Sequence, residues 1–171
     1  MKRLIFALMV LMVASIVVSQ HQLNLLDYEL VVYRVSVEDR TALISLQISE
    51  TNTGGYEVIY TVKFSVIDEL DYEVFAVPYM YLMMSYIYNP AFLPFLGMID
   101  LDNPSTVNLY GIKIVYEKDE KVGKYTGKRF SLYSSDQKLF TWVASKQIEL
   151  PLKFEIPEQG YVAELVEFRK R

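Results

Sequence analysis

The chain has 171 residues, no cysteine, one histidine, 17 basic and 21 acidic residues, and a net charge of −4. Without thiols there is no disulfide framework, thiolate ligand or cysteine nucleophile, and a negative balance repels phosphate, so nucleic acid is not expected as a partner. Stability must come from burial, and one domain of this length buries roughly 70% of the surface its unfolded chain exposes.

Met1-Lys2-Arg3 precedes an uncharged run, Leu4 to Val18, with Val17 and Ser19 where signal peptidase reads. Residues 1–19 are expected to be a signal peptide cleaved before Gln20, the rival being an uncleaved N-terminal anchor. The folded part is exported in either case, to the periplasm or the extracellular space. With Lys2 and Arg3 removed, 15 basic residues face 21 acidic ones. Residues 20–27 read as a flexible leader, and 28–171 as a single antiparallel β domain.

Val31, Tyr33, Val35 and Val37 alternate with polar residues, as a half-buried strand requires. Ala42, Ile44, Leu46 and Ile48 repeat the pattern, Thr51 to Gly55 supplies a turn, and Tyr56, Val58, Tyr60, Val62, Phe64 and Val66 alternate again. These are expected to be consecutive hairpins. Farther on, Tyr110, Ile112, Ile114 and Tyr116 alternate up to an expected charged loop, Glu117 to Lys124. Val107 and Leu109 fall on the opposite parity, which predicts a bulge at Gly111. Phe130 and Leu132 belong to the returning strand, and Leu139 to Ala144 to a short one around Trp142. Ile148, Leu150, Leu152, Phe154 and Ile156 predict a strand with Pro151 at an edge or bulged position. Pro157 to Gly160 turn the chain into a last strand, Tyr161 to Phe168, preferred over a helix on turn chemistry.

Between Glu73 and Asp100 lie 26 uncharged residues, and within them Tyr79 to Gly97 hold three methionines and four tyrosines. Pro78, Pro90 and Pro94 cut the run, leaving Tyr79 to Asn89 as the longest proline-free piece, roughly 16 Å of helix and about half a bilayer core. No transmembrane span is therefore expected in the mature chain. The stretch predicts a short helix apolar on every side, followed by a proline-punctuated segment. Three uses fit it: core, an adaptable lining for an oily ligand, or a docking face. As a lining it would present Tyr79, Met80, Leu82, Met83, Tyr86, Phe92 and Phe95.

The chemistry of catalysis is sparse. His21, the sole histidine, sits in the expected leader, so histidine metal sites and Ser/His triads are not expected. Asp68, Glu69, Asp71, Glu73, Asp100 and Asp102 lack the spacing of a calcium loop and read as solvated flanks, and Lys118, Lys121, Lys124 and Lys128 as a solvated hairpin. The chain is expected to be no enzyme and to need no cofactor.

Val122-Gly123 before a strand, Trp142-Val143 ending the next, Leu150-Pro151-Leu152-Lys153 opening another, and Gly160 with Glu164-Leu165 in the last give the segment from Glu120 onward a pattern. It resembles the closing hairpins of the periplasmic lipoprotein-carrier superfamily, LolA and LolB, and of related uncharacterised exported families. The resemblance covers about a third of the chain. It implies an open half-barrel with a helix on its concave face, where acyl chains are held, and would make 79–97 the inner helix or lid. The first two thirds match only in general pattern.

The sequence thus predicts a mainly β protein, an antiparallel curved sheet or half-open β-barrel with one short helix or lid segment on its concave face. The expected function is binding of a hydrophobic small molecule or lipid acyl chains. The alternative is a structural or interaction module of the cell envelope, with an envelope protein as partner and no small-molecule ligand.

Overall fold

The computed structural model describes residues 25–37, 40–64, 99–109 and 111–171. Leu25–Asp27 form one 3-10 turn, and nine strands follow: β1 (Tyr28–Val37), β2 (Arg40–Glu50), β3 (Tyr56–Phe64), β4 (Val107–Leu109), β5 (Ile112–Val122), β6 (Tyr125–Ser134), β7 (Gln137–Ala144), β8 (Lys153–Ile156) and β9 (Tyr161–Lys170). They make a single antiparallel sheet in the order β3-β2-β1-β9-β8-β7-β6-β5-β4, which does not close into a barrel. The mainly β, antiparallel architecture expected from the alternation is the one observed. The expected helix or lid at 79–97 and the signal segment lie outside the described residues.

The two faces of the sheet follow from period-two alternation. One register row runs Tyr116, Phe130, Trp142, Phe154, Ala163, Val35, Ala42 across seven strands, and from Phe130 onward every member is buried. The adjacent row, Lys118, Arg129, Val143, Lys153, Glu164, Arg34, carries charges at every position but Val143, which is buried. A one-residue slip of any strand would exchange the two sets, so burial fixes the register. β1 and β9 pair in the middle of the sheet, Val35 opposite Ala163 and Val37 opposite Tyr161, and this seam joins the β1–β3 meander to the β4–β9 meander.

The sheet is strongly curled between β6 and β9. Neighbouring strands lie about 4.8 Å apart, so β6 and β9, with β7 and β8 between them, would stand about 14 Å apart if flat. Yet the rings of Tyr125 on β6 and Phe168 on β9 have centroids 5.7 Å apart. The segment between β7 and β8 fills the hollow of this curl with buried Ile148, Leu150 and Leu152. Tyr33 donates its hydroxyl proton to the Pro151 carbonyl at 2.7 Å, fastening that segment to β1.

Three local expectations are corrected. Glu117 to Lys124 is not a charged loop: β5 continues to Val122, and only two residues separate it from β6. The ladder slips between Tyr116 and Lys118, leaving Glu117 as the extra residue of a bulge on the charged face. Gly111 marks no bulge but the turn between β4 and β5, where Leu109 pairs with Ile112 and Gly111 takes a φ of 84° that favours glycine. Leu109 and Ile112 lie opposite each other across this turn, so the parity inverts there. Finally, only Lys153–Ile156 of the Ile148 to Ile156 alternation is strand. Pro151 has no N–H for a ladder and its carbonyl is taken by Tyr33, so Ile148 and Leu150 are buried without strand pairing.

Candidate functional site

The inner face has two unlike halves. Toward β6–β9 it is filled by rings: Phe130 and Trp142 stack at 5.6 Å, Phe140 and Phe154 meet at 5.1 Å, and Phe154 and Tyr161 touch edge to face at 6.4 Å. Phe130 and Tyr161 are at most 1% exposed. Toward β2 and β3 the same face is apolar but incompletely covered, since Leu46, Tyr60 and Val62 are only partly buried. Register places Phe168, Val31, Leu46 and Tyr60 in one line across β9, β1, β2 and β3, an apolar stripe of about 14 Å at the usual strand spacing.

Tyr60 stands at the β3 end of this stripe. Its hydroxyl oxygen is buried and, among the described residues, is the one buried side-chain polar atom with no hydrogen-bond partner. Burial pushes its phenol above the ordinary tyrosine value, so the group is a neutral donor. Tyr28 provides the contrast: its buried ring reaches the Glu149 carboxylate at 3.4 Å and is edge-on to Phe168 at 6.1 Å. Burial, with the nearby Glu149 charge, raises its phenol to about 12.

The charged face of β5–β9 carries a second constellation. Arg129 donates to Glu117 at 2.9 Å, to Glu120 at 2.8 Å, and to Glu155. Lys153 reaches Glu155 at 2.8 Å, Glu164 at 3.3 Å and Glu120 at 3.4 Å. Glu117 also accepts from Lys138 at 2.6 Å and from the Ser131 hydroxyl at 2.7 Å. Partial burial acts to raise the Glu117 carboxyl, but the hydrogen bonds from Lys138, Ser131 and Arg129 outweigh it and hold it at about 2. A carboxylate ionised through the whole neutral range and fully engaged by cations is a brace between strands, poorly suited to acid–base work. Lys118, Lys121 and Lys124 are exposed, as expected of a solvated hairpin, whereas Lys128 is half-buried, 3.1 Å from Asp119 and over the Tyr116 ring.

A shallow cleft of about 590 Å³ opens at another edge, lined by Leu30, Gln47, Ile48 and the pairs Glu29–Arg169 and Glu50–Arg171. Its cations are already met by carboxylates, so it offers no ready anion site. Among the described residues no cluster of three or more metal-ligating side chains occurs, and no helix is long and apolar enough to cross a membrane.

Tyr79, Met80, Leu82, Met83, Tyr86, Phe92 and Phe95, the lining expected from sequence, lie outside the described residues. The stripe ending at Tyr60 was not singled out by sequence reasoning. Its signal was present as the inward parity of Leu46, Tyr60 and Val62, but a tyrosine within a strand repeat does not announce that its hydroxyl lacks a partner. No family model matches the chain, and no curated protein or solved structure shows significant similarity to it.

Proposed function

We propose that this is an exported, non-enzymatic protein that binds a lipid or other hydrophobic ligand on the concave face of its curled sheet. The observation that carries this reading is the apolar stripe from Phe168 through Val31 and Leu46 to Tyr60, in which every residue but the buried Val31 is partly exposed, on the inner face of a sheet that does not close. Burial of an acyl chain there is favoured at roughly 25 cal/mol per Å² of apolar area, with polar groups serving only to orient it. The uncharged segment 79–97 would complete the lining with Tyr79, Met80, Leu82, Met83, Tyr86, Phe92 and Phe95. The resemblance of the closing hairpins to the LolA and LolB carriers supports the same reading; transfer of lipoproteins is not proposed.

A titration with a fluorescent fatty-acyl methyl ester tests it. Saturable, stoichiometric uptake that is lost in Leu46→Arg and in Met83→Asp with Tyr86→Asp, while the far-ultraviolet circular dichroism of both variants is retained, is the expected result. Uptake unchanged in both folded variants would remove this lining.

A second reading, an interaction module of the cell envelope, is favoured by β3, whose Tyr56, Val58 and Ile59 are 46%, 54% and 47% exposed. Exposed apolar residues along a strand suit contact with another protein. It predicts no saturable probe binding, and crosslinks from β3 or 79–97 to a partner protein.

A further inference from the structure

Resting on the hydrophobic-ligand reading, we infer that Tyr60 is the polar anchor of the bound molecule, its hydroxyl donating a hydrogen bond to a neutral carbonyl oxygen of an acyl ester or amide. Buried polar atoms in native proteins are almost always paired, so an orphan hydroxyl at the end of an apolar stripe marks a place where a partner belongs. The ligand class follows from what surrounds it. Every inner-face position from Ala42 to Ile48 on β2 and from Val58 to Val62 on β3 is uncharged, so among the described residues there is no cation here to neutralise a carboxylate. A free fatty-acid anion would be desolvated without compensation, and a plain alkane would leave the hydroxyl unserved. An ester or amide satisfies both conditions: its carbonyl accepts from Tyr60 while its chain lies over Leu46 and Val62, the partly exposed neighbours on the same face. Burial raises the phenol, keeping its proton in place for donation.

The test compares three probes of matched chain length, methyl laurate, tridecane and laurate anion, as competitors for a bound fluorescent acyl probe, against the wild type and Tyr60→Phe. The phenylalanine variant loses no hydrogen bond of the unliganded protein, so its melting temperature is expected to be equal or higher. The wild type is expected to prefer the ester over the alkane by roughly two- to tenfold, the factor one neutral hydrogen bond supplies, and to bind the anion more weakly than the ester. Tyr60→Phe is expected to abolish the ester preference while leaving alkane affinity unchanged. An ester preference that survives in Tyr60→Phe, equal binding of ester and alkane by the wild type, or tighter binding of the anion each overturns the anchor while sparing the hydrophobic-ligand reading. Failure of all three to displace a bound probe overturns the anchor, and absence of saturable probe binding overturns both.

Discussion

The rings of Tyr125 and Phe168 stand 5.7 Å apart although β7 and β8 separate their strands in the sheet. This contact ties the tip of the β5–β6 hairpin to the end of β9 and holds the curl on which the concave face depends. Aromatic pairs of this kind contribute about 0.5–1.5 kcal/mol beyond their buried area. A double-mutant cycle of Tyr125→Leu and Phe168→Leu, followed by urea unfolding, is expected to return a coupling in that range. Strict additivity of the two would mean that the rings merely adjoin.

Arg129 is the hub of the charged face, with Glu117 and Glu120 of β5 and Glu155 of β8 on its guanidinium. Removing it leaves three partly buried carboxylates crowded together, and Arg129→Ala is expected to cost about 2–3 kcal/mol in chemical denaturation. Arg129→Lys keeps the charge but not the planar fork, and is expected to recover less than half of that loss.

The acid stability of the protein should report on Glu117. Its carboxyl falls from an ordinary 4.5 to about 2 in the fold, with burial opposed by the hydrogen bonds from Lys138, Ser131 and Arg129. A depressed folded value means that the contribution is complete above the unfolded value and is lost as pH falls through the folded one. Glu155 is depressed as well, since burial is outweighed by Arg129 and Lys153. Unfolding free energy measured between about pH 6 and about pH 2 is expected to decline for the wild type, most steeply below 4.5. Glu117→Gln is expected to show a shallower decline, so that the two curves converge toward the acid end. Parallel curves would show that Glu117 titrates alike in both states.

Gly127 is required by a close approach. A Cβ there would lie 2.5 Å from the Ala144 carbonyl oxygen, 2.8 Å from Val143 Cγ1 and 3.0 Å from Leu152 Cδ1. The first neighbour is backbone on the adjacent strand and cannot swing aside. Gly127→Ala is therefore expected to destabilise by about 2 kcal/mol or more, through displacement of β6 from β7, and a melting curve measures it. A variant as stable as the wild type would show that the β6–β7 spacing is adjustable.

Strands buried on one face were legible in the sequence, because period-two burial leaves its mark in residues such as Val31, Tyr33, Val35 and Ile44, Leu46, Ile48. β5 was legible only to Tyr116. Its second half, Glu117 to Lys121, is charged at every position, and a run of that kind reads as loop unless its partners are known. Those partners, Arg129, Lys138 and Lys153, come from β6, β7 and β8, and no local pattern reveals them. Ile148 to Pro151 erred the other way, since alternation reports burial, while strand pairing also needs a free N–H, which Pro151 lacks. In the candidate site, the apolar character of the inner face was readable from parity. The unpartnered Tyr60 hydroxyl was not, because partner accounting needs neighbours in space.

Whether the concave face holds an acyl ligand is tested most directly by native mass spectrometry of the protein purified without detergent from the cells that make it. A stoichiometric mass adduct that solvent extraction identifies as an acyl lipid is the predicted result. A bare protein mass, unchanged after incubation with envelope lipids, would contradict it and leave the inner face as core or interface.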